Sequence, residues 1–417
     1  MKWNDLRDNG IKSIGGAVSG GLDSCTVTHW LNDKGFSVTC YTVDLAQPDE
    51  IQLTDVKKRM IGCKAVDAVL VSGVEALAEA GLKVVQAQAR YEGGYWNTTA
   101  IARPITVESI LPLLKEAGIP VFFHGCTGRG NDQVRFQLAS NMLDPEIEVY
   151  APWRDTDFIN EFPGRKEMIE YCNKNNLPLK ASSEARYSTD ANFLGLTHEA
   201  GDLEDVSIPP FFVEPVMGVW PWDAPDVSEF VTIKWDRGIP IEINGVKLGL
   251  VDAFKQANKI AGRHGVGIGT HVIENRFVGI KSRGIYESPG IELVGKSYEY
   301  LLQFILDRRA RNLFESLSKY LSEQIYQGYW FDLGSLSAMK SINNISQYVT
   351  GSVTMKLHKG SVLFSEVGEQ LNSMPYSLYT DDSSMENIGD YDHSDAEGFL
   401  KILGVSAKNY GKKHPRN

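Results

Sequence analysis

Cysteine and histidine are scarce in this chain, and neither residue type is clustered. The five cysteines are far apart and none belongs to a CxxC pair, while the eight histidines form no HExxH pattern. Zinc sites are typically built from such closely spaced ligands. The scatter argues against a structural zinc or a metallohydrolase. It predicts reduced thiols, which are typical of a cytoplasmic protein.

Long apolar runs and an excess of positive charge are also missing. The first residues, MKWNDLRDNGIKS, are polar, and the formal net charge is -11. No apolar stretch approaches the ~20 residues that a membrane-spanning helix needs. An acidic protein is poorly suited to binding phosphate backbones non-specifically. We therefore expect neither a membrane nor a nucleic acid as a partner.

The first part of the chain alternates between strand-like and helix-like segments. The 417 residues are 42% hydrophobic, which is enough for two globular domains. Three helices are predicted. The first lies around Val27–Leu31 and ends at Gly35, and the second ends at Gly62. The third covers 106–118, where Pro112 is expected to kink or shorten it. The predicted strands are 11–18, 36–43, 65–71 and 121–123. This alternation predicts an α/β domain with a parallel sheet.

Beyond Pro178 the pattern changes to short alternating segments and two long helices. Residues 231–234 and 241–243 predict hairpins, 218–226 predict a loop, and 248–261 and 298–327 predict helices. The apolar stripe of the second helix is suited equally to covering a sheet and to contacting another subunit. The acidic stretch from Asp381 and Asp382 to Glu397 is predicted to be a solvated surface.

The run IGGAVSGGLDS, residues 14–24, follows the first predicted strand and opens a helix. Glycines let backbone N–H groups at a helix start approach an anion, and Ser19 and Ser24 add hydroxyl donors. The run matches neither GxGxxG nor the lysine-containing P-loop. SGG alone could be a structural turn. The full SGGLDS, however, resembles the pyrophosphate-binding signature of N-type ATP pyrophosphatases, which cleave ATP between its α and β phosphates.

A second motif, HGCTGRGNDQVRFQ, follows the strand at 121–123. Arg135 could bind a carboxylate as a two-pronged donor, and Asp132 could bind an ammonium group. A capped helix start with a surface ion pair is the structural alternative. A third polar and glycine-rich cluster, VIENRFVGIKSRGIYESPG at 272–290, favours the functional interpretation.

These blocks and several others occur in the order found in the argininosuccinate synthase family, which the chain resembles from about Lys12 to Tyr410. The further blocks are ARP (102–104), APWR (151–154), HEAG (198–201), HGVG (264–267) and GDYDHSDAEGF (389–399). The resemblance implies an adenine nucleotide α-hydrolase-like domain over 1–175. It also implies an α+β synthetase and multimerisation domain over 176–417 with a C-terminal helical arm, in a cytoplasmic homotetramer.

The resemblance further implies an enzyme that uses ATP and Mg²⁺ to join citrulline to aspartate, through an adenylated citrulline, with release of AMP and pyrophosphate. The implied ATP-binding residues are Ser19, Gly20, Gly21, Asp23, Ser24, Gln47, Arg103 and Gly125. The implied aspartate site is Thr127, Asn131 and Asp132. The implied citrulline or acceptor site is Tyr95, Thr99, Asn131, Arg135, Ser188, Thr197, Glu274 and Tyr286. Asp23, Asp132 and Arg135 are the candidate catalytic residues, and Asp23 is the only candidate magnesium ligand.

Four positions depart from the family pattern. Ala100 and Thr197 stand where serines that contact citrulline are usual, Ala191 where glutamate is common, and Ala46 where glycine is expected. Losing one hydrogen bond to a ligand costs about 0.5–1.5 kcal/mol. With these departures, the alternative remains that the chain is a paralogue that joins aspartate to a different ureido or carboxyl acceptor. A more distant ATP pyrophosphatase and a non-catalytic binding paralogue remain further alternatives.

Overall fold

The computed structural model describes residues 2–48, 52–128, 130–179, 186–368, 374–379 and 393–415. Asp381, Asp382 and the first four residues of the GDYDHSDAEGF block (389–392) lie outside these ranges. The predicted α/β fold class is confirmed, with a parallel sheet in the first half and two antiparallel sheets in the second.

The first half is built on a five-stranded parallel sheet. Its strands are β1 (Ser13–Ala17), β2 (Ser37–Asp44), β3 (Asp67–Ser72), β4 (Val121–His124) and β5 (Glu148–Tyr150), in the spatial order β3-β2-β1-β4-β5. The chain therefore runs to one side of β1 and then returns to the other. The carboxyl ends of β1 and β4 flank this reversal, which is where open parallel sheets bind ligands.

Eight helices of the first half lie on or beside this sheet. They are α1 (Trp3–Asp8), α2 (Leu22–Asp33), α3 (Leu53–Gly62), α4 (Val74–Ala87), α5 (Thr98–Glu116), α6 (Asp132–Leu143), α7 (Thr156–Glu161) and α8 (Arg165–Lys174). The predicted C-terminal position of Gly35 beyond α2 is confirmed by its φ of 96°. Helix α4 is not among the helices predicted from the sequence.

Helix α5 corrects one prediction. It begins at Thr98 rather than near 106, and it contains both Pro104 and Pro112. Each proline removes one backbone hydrogen bond. The helix nevertheless continues because apolar side chains along it, among them Ile101 and Leu114, are fully buried. The free energy gained by burying several faces of the helix outweighs the tendency of proline to break it.

The second half contains two antiparallel sheets. One has the order β10-β9-β8-β13-β14 and the other the order β11-β12-β7-β6. The strands are β6 (Ser188–Asn192), β7 (Gly195–Glu199), β8 (Glu229–Asp236), β9 (Ile239–Ile243), β10 (Val246–Lys247), β11 (Ile268–Asn275), β12 (Lys281–Glu287), β13 (Gly351–His358) and β14 (Ser361–Val367). The predicted hairpin segments form β8 and β9, and the cluster at 272–290 supplies most of the β11–β12 hairpin.

The helices of this half are α9 (Leu250–Arg263), α10 (Pro289–Ile305), α11 (Arg308–Gln327), α12 (Leu333–Ser346) and α13 (His393–Lys413). The single helix predicted over 298–327 is thus wrong: the chain breaks between α10 and α11. Asp307 causes the restart, because its carboxylate accepts a hydrogen bond from the Ala310 N–H at 2.7 Å. Leu302 and Ile305 on α10 are buried, whereas Leu313 on α11 is exposed.

One apolar cluster joins the two halves. It extends from Tyr41 and Leu77 through Ile101 to Trp235, Leu301 and Tyr326. A second cluster lies on the other face of the parallel sheet, around Trp30 and Phe158. The helices in the described ranges include none long and apolar enough to cross a membrane.

Candidate active site

A cavity of about 410 Å³ opens at the carboxyl ends of β1 and β4. Seven of the eight predicted ATP-binding residues line it: Ser19, Gly21, Asp23, Ser24, Gln47, Arg103 and Gly125. It lies where the order of the parallel strands reverses. The sequence motifs after β1 and β4 therefore meet at one site.

The loop after β1 is shaped by Gly20, the one predicted residue that does not line the cavity. Its φ is 73°, and a Cβ atom there would lie 2.8 Å from Val56 and 2.9 Å from the Arg59 guanidinium. Behind this turn, the Ser19 N–H donates to the Ser24 hydroxyl at 3.1 Å. Gly21 then caps α2 in an extended conformation. The free N–H groups at the start of α2 suit an anion in the cavity.

Asp23 lies in the first turn of α2, and its Oδ1 accepts a hydrogen bond from Trp153 Nε1 at 3.0 Å. Burial raises the pKa of Asp23, while the Trp153 hydrogen bond acts in the opposite direction. Trp153 belongs to the APWR block, for which the sequence suggested no role. The contact shows that this block positions the Asp23 carboxylate.

A second cavity of about 360 Å³ adjoins the first. Every residue predicted for the aspartate and acceptor sites lines it: Tyr95, Thr99, Thr127, Asn131, Asp132, Arg135, Ser188, Thr197, Glu274 and Tyr286. These residues come from α5, α6, β6, β7, β11 and β12 and the segments before α5 and α6. Both halves of the chain thus contribute to one site.

The two cavities share part of their walls. Asp23, Gly125, Cys126 and Asp190 line both of them. A group held in the first cavity can therefore be placed beside a group held in the second. We call the first the nucleotide cavity and the second the acceptor cavity.

Asp132 is the centre of a partly buried ionic network between the cavities. It accepts hydrogen bonds from Arg103 at 2.7 Å and from Arg135 at 2.9 Å, and Arg103 also contacts Asp190. Burial alone would raise the pKa of Asp132, but the two guanidinium groups outweigh it and hold the pKa well below its ordinary value. Asp132 is consequently an anion across the physiological pH range.

Arg135 is held on two sides. Its Nη1 contacts Asp132, while its Nε and Nη2 donate to the Tyr326 carbonyl at 2.9 and 2.7 Å. Tyr326 lies on α11, about 190 residues further along the chain. Helix α11 therefore fixes the orientation of the guanidinium that faces the acceptor cavity.

Hydroxyl groups form a chain along another wall of the acceptor cavity. The Tyr95 and Thr99 hydroxyls lie 2.6 Å apart, and those of Thr99 and Thr197 lie 3.2 Å apart. The Tyr95 ring stacks on Tyr286 with centroids 4.1 Å apart. Each of these hydroxyl groups can act as a hydrogen-bond donor or acceptor. The row of hydroxyls can therefore bind a polar ligand without leaving a buried hydroxyl unpaired.

Glu274 closes the far side of this cavity. Its carboxylate accepts hydrogen bonds from the hydroxyls of Tyr286 and Tyr326. Asn131 donates to the same Tyr326 hydroxyl at 2.8 Å and accepts from the Phe277 N–H at 2.7 Å. Burial raises the pKa of Glu274, although the Tyr326 hydrogen bond and Arg135 lower it. A buried carboxylate placed in this way suits an ammonium group.

The departures from the family pattern do not cluster around the acceptor cavity. Ala100 is buried and lines neither cavity, and Ala191 lines the nucleotide cavity. Thr197 does line the acceptor cavity and keeps its hydroxyl. Ala46 has a φ of 48°, a conformation that glycine adopts more readily. Three of the four departures therefore lie outside the acceptor cavity.

Several cavity residues carried no specific prediction, among them His124, Cys126, Asp190, Glu199 and Arg276. Neither did Tyr326, which does not line a cavity but contacts Glu274 and Arg135. His124 is buried beneath the nucleotide cavity, where burial lowers its pKa to about 3 and keeps it neutral. Its Nδ1 accepts from the Cys126 N–H at 3.3 Å. His124, Cys126 and Glu199 lie within motifs that the sequence singled out, whereas nothing local distinguishes Tyr326.

The HEAG block combines a structural and a cavity residue. His198 Nε2 lies 2.6 Å from Glu287, whose carboxylate also accepts the Val216 and Met217 N–H groups. This buried pair joins β7 to β12 and to the loop before β8. The next residue, Glu199, lines the acceptor cavity.

Comparisons with known proteins agree with this geometry. A model of the "Arginosuccinate synthase N-terminal HUP domain" matches residues 13–178, and one of the "Arginosuccinate synthase C-terminal domain" matches residues 187–410. Argininosuccinate synthase of Rhodopirellula baltica is 41% identical over 97% of this chain and 100% of the relative. The chloroplastic enzyme of Arabidopsis thaliana is 37% identical over 95% and 79%, and that of Danio rerio is 34% identical over 95% of each. The chain belongs to the argininosuccinate synthase family.

Proposed function

We propose that this protein is an ATP-dependent, AMP-forming ligase that condenses citrulline with aspartate to give argininosuccinate. The observation that carries the proposal is the shared wall between the nucleotide and acceptor cavities. The reaction needs the α-phosphate of ATP to meet the ureido oxygen of citrulline, and then the aspartate amine to reach the activated carbon. Adjacent cavities meet both requirements with little movement of the reactants.

Nucleotide binding is assigned to the loop after β1 and to the turn after β4. Ser19, Ser24 and the N–H groups at the start of α2 would hold the pyrophosphate part of ATP, and Gly125 allows close approach from the other side. Gln47 is held by hydrogen bonds to Val43 O and Leu45 N, both at 3.1 Å, at the rim of this cavity. The family supports ATP as a substrate.

The residues present also fit a magnesium ion carried by ATP. Mg²⁺ usually keeps several waters and binds phosphates with one or two carboxylates. The described ranges contain no cluster of three or more histidine, cysteine, aspartate or glutamate side chains suited to a metal ion. Asp23, at the wall between the cavities, is the carboxylate that we assign to it. When bound, magnesium would neutralise charge on the departing pyrophosphate.

The acceptor cavity has the charges that two amino acids require. Six carboxylates line it, namely Asp23, Asp132, Asp190, Glu199, Glu204 and Glu274, against two guanidinium groups, Arg135 and Arg276. Each amino-acid substrate brings an ammonium group that favours the first set and a carboxylate that favours the second. We assign Glu274 and Arg135 to citrulline, and Thr127, Asn131 and Asp132 to aspartate.

The test is release of pyrophosphate from ATP and magnesium, measured with each amino acid alone and with both. Citrulline-dependent release, with argininosuccinate identified by mass, is the expected result. Aspartate-dependent turnover with another ureido or carboxyl compound, but none with citrulline, would contradict it. That outcome would instead support the alternative of a ligase for a different acceptor.

We also propose a homotetramer in the cytoplasm, with a nucleotide-binding domain over 1–175 and a synthetase and multimerisation domain over 176–417. Helix α13 supports the assembly, because Phe399, Ile402 and Val405 are each more than half exposed in the single chain. Exposed apolar side chains along one helix favour burial against another subunit. Light scattering of the purified protein tests the assembly: a mass near 46.3 kDa would exclude the tetramer.

A further inference from the structure

Glu199 occupies a position that the assigned substrate contacts leave unused. It is the last residue of β7, directly opposite Ser188 on the antiparallel strand β6. Thr197 lies two residues earlier, and alternate residues of a strand face the same side. All three line the acceptor cavity. Glu199 therefore faces the space assigned to the substrates, and 40% of its side-chain surface is accessible there.

The charges around Glu199 favour a carboxylate that can take up a proton. The pKa of Glu199 is raised to about 7. Its location inside the cavity and the nearby carboxylates raise this pKa, whereas Arg276, 3.1 Å away, lowers it. The charged groups that influence it are Arg276, Asp132, Glu274 and Asp190. Glu204 and Arg135 also line the cavity.

Other carboxylates of the cavity are committed to contacts that make them poor bases. Asp132 is held by two guanidinium groups, and Asp190 is held by Arg103. Glu274 accepts hydrogen bonds from two tyrosine hydroxyls. A group that exchanges protons near neutral pH works best when its pKa is close to that pH. Glu199 meets this condition, because its place in the cavity brings its pKa close to neutral pH.

The proposed reaction requires such a base in its second step. The amine of aspartate is an ammonium ion at neutral pH, and an ammonium nitrogen has no lone pair with which to attack carbon. We propose that Glu199 is the general base that takes one proton from the aspartate ammonium group in the acceptor cavity. This assignment rests on the proposed function and identifies a catalytic residue within it.

The step balances without any further reactant. The Glu199 carboxylate becomes a carboxylic acid, and the freed amine lone pair forms a C–N bond to the carbon of the adenylated ureido group. The C–O bond to AMP breaks, and its electron pair leaves on the phosphate oxygen of AMP. A second amine proton moves to the former imine nitrogen, which yields the guanidinium of the product.

The test compares Glu199→Gln with wild type and with Glu214→Gln, an exposed glutamate on the loop between β7 and β8. The first step is followed as the burst of pyrophosphate from ATP and citrulline without aspartate. The second is followed as steady-state argininosuccinate formation. We expect the burst to be unchanged in Glu199→Gln and the steady-state kcat to fall about 10²–10⁴-fold. Glu214→Gln should match wild type in both.

Two further readouts separate a base from a residue that only binds or positions. In wild type, kcat/KM for aspartate should rise with pH through about 7, since the base acts when it is unprotonated. Glu199→Gln should lose this rise, and Glu199→Asp should keep it at a lower rate. Hydroxylamine, which is largely unprotonated at neutral pH, should consume the adenylate equally fast in wild type and Glu199→Gln.

The outcomes are distinguishable. A burst reduced as strongly as the overall rate, or an unchanged pH dependence in Glu199→Gln, would overturn the assignment. So would an increase in KM for aspartate with kcat unchanged. Failure of the proposed function would appear in wild type itself, as the absence of any citrulline-dependent burst.

Discussion

The guanidinium of Arg135 lies 2.9 Å from the carboxylate of Asp132, one turn earlier on the same helix. Asp132 is assigned to aspartate and Arg135 to citrulline. A single ion pair therefore links the residues that we assign to the two amino-acid substrates, and Arg103 extends it to the nucleotide cavity. A change at Asp132 is expected to affect both substrates.

Asp132→Asn should lower kcat/KM for aspartate and raise KM for citrulline. Hydrogen bonds to charged groups contribute about 1.5–3 kcal/mol, so we expect a loss of roughly 10- to 100-fold in kcat/KM. Leaving two guanidinium groups without their anion should also lower the free energy of unfolding by about 3 kcal/mol. Steady-state kinetics and urea unfolding measure the two effects, with the exposed Asp252→Asn as the control.

The stability loss of Asp132→Asn should depend on pH. The pKa of Asp132 is lower in the folded than in the unfolded state, so its contribution is complete above the unfolded pKa. It is lost as the pH falls toward the folded pKa. The two unfolding free energies should therefore converge below about pH 4. A constant difference down to pH 2 would contradict the ionic role.

Tyr326→Phe should weaken citrulline binding most strongly in mild acid. The tyrosine hydroxyl donates to Glu274, and this hydrogen bond lowers the glutamate pKa. Removing the hydroxyl raises the pKa of Glu274. Glu274 is then protonated at a higher pH than in wild type, and a protonated Glu274 does not attract an ammonium group. KM for citrulline measured from pH 5.5 to 8 should rise earlier in the variant as pH falls. Tyr320→Phe, on the same helix and partly exposed, should follow wild type.

Gly20→Ala and Gly21→Ala should differ, although the residues are adjacent. Gly20 has a φ of 73° and close contacts with Val56 and Arg59, whereas a Cβ atom on Gly21 would meet only Ser19 Oγ, at 3.6 Å. We expect Gly20→Ala to lower the free energy of unfolding by about 1–2 kcal/mol and to raise KM for ATP. Gly21→Ala should raise KM for ATP with little loss of stability. Equal stability of the two variants would refute this account of the loop.

Ala46→Gly should stabilise the protein. Ala46 has a φ of 48°, and its N–H donates to Asp44 at 2.8 Å, which holds the turn in place. Glycine relieves the left-handed strain, and its greater freedom in the unfolded chain offsets part of the gain. A rise of about 0.5–1 kcal/mol in the free energy of unfolding is expected. Ala76→Gly within α4 should show the opposite sign.

The parallel sheet was predictable because each of its first strands is a short buried run bounded by glycine or polar residues. The strands at 36–43 and 121–123 lie within one residue of β2 and β4. The break at Asp307 was missed because Leu302, Ile305 and Leu306 continue into Leu313 and Phe314 as one apolar pattern. A single capping side chain interrupts this pattern without changing its hydrophobicity.

The residues that line the candidate site were predictable where they belong to a sequence motif, and not elsewhere. SGGLDS and the block from His124 to Gln137 follow strands whose carboxyl ends meet, so their side chains converge. Tyr326 is different, because it reaches Glu274, Asn131 and Arg135 only through the packing of α11 against the first half. No local pattern encodes such a contact, which depends on the tertiary fold.

The shared wall between the two cavities also bears on the lifetime of a reactive intermediate. An adenylated ureido compound that diffused into bulk water would be lost to hydrolysis, and its ATP would be wasted. Because Asp23, Gly125, Cys126 and Asp190 border both cavities, the activated carbon need not travel to meet its nucleophile. An intermediate formed at the shared wall could therefore react where it forms.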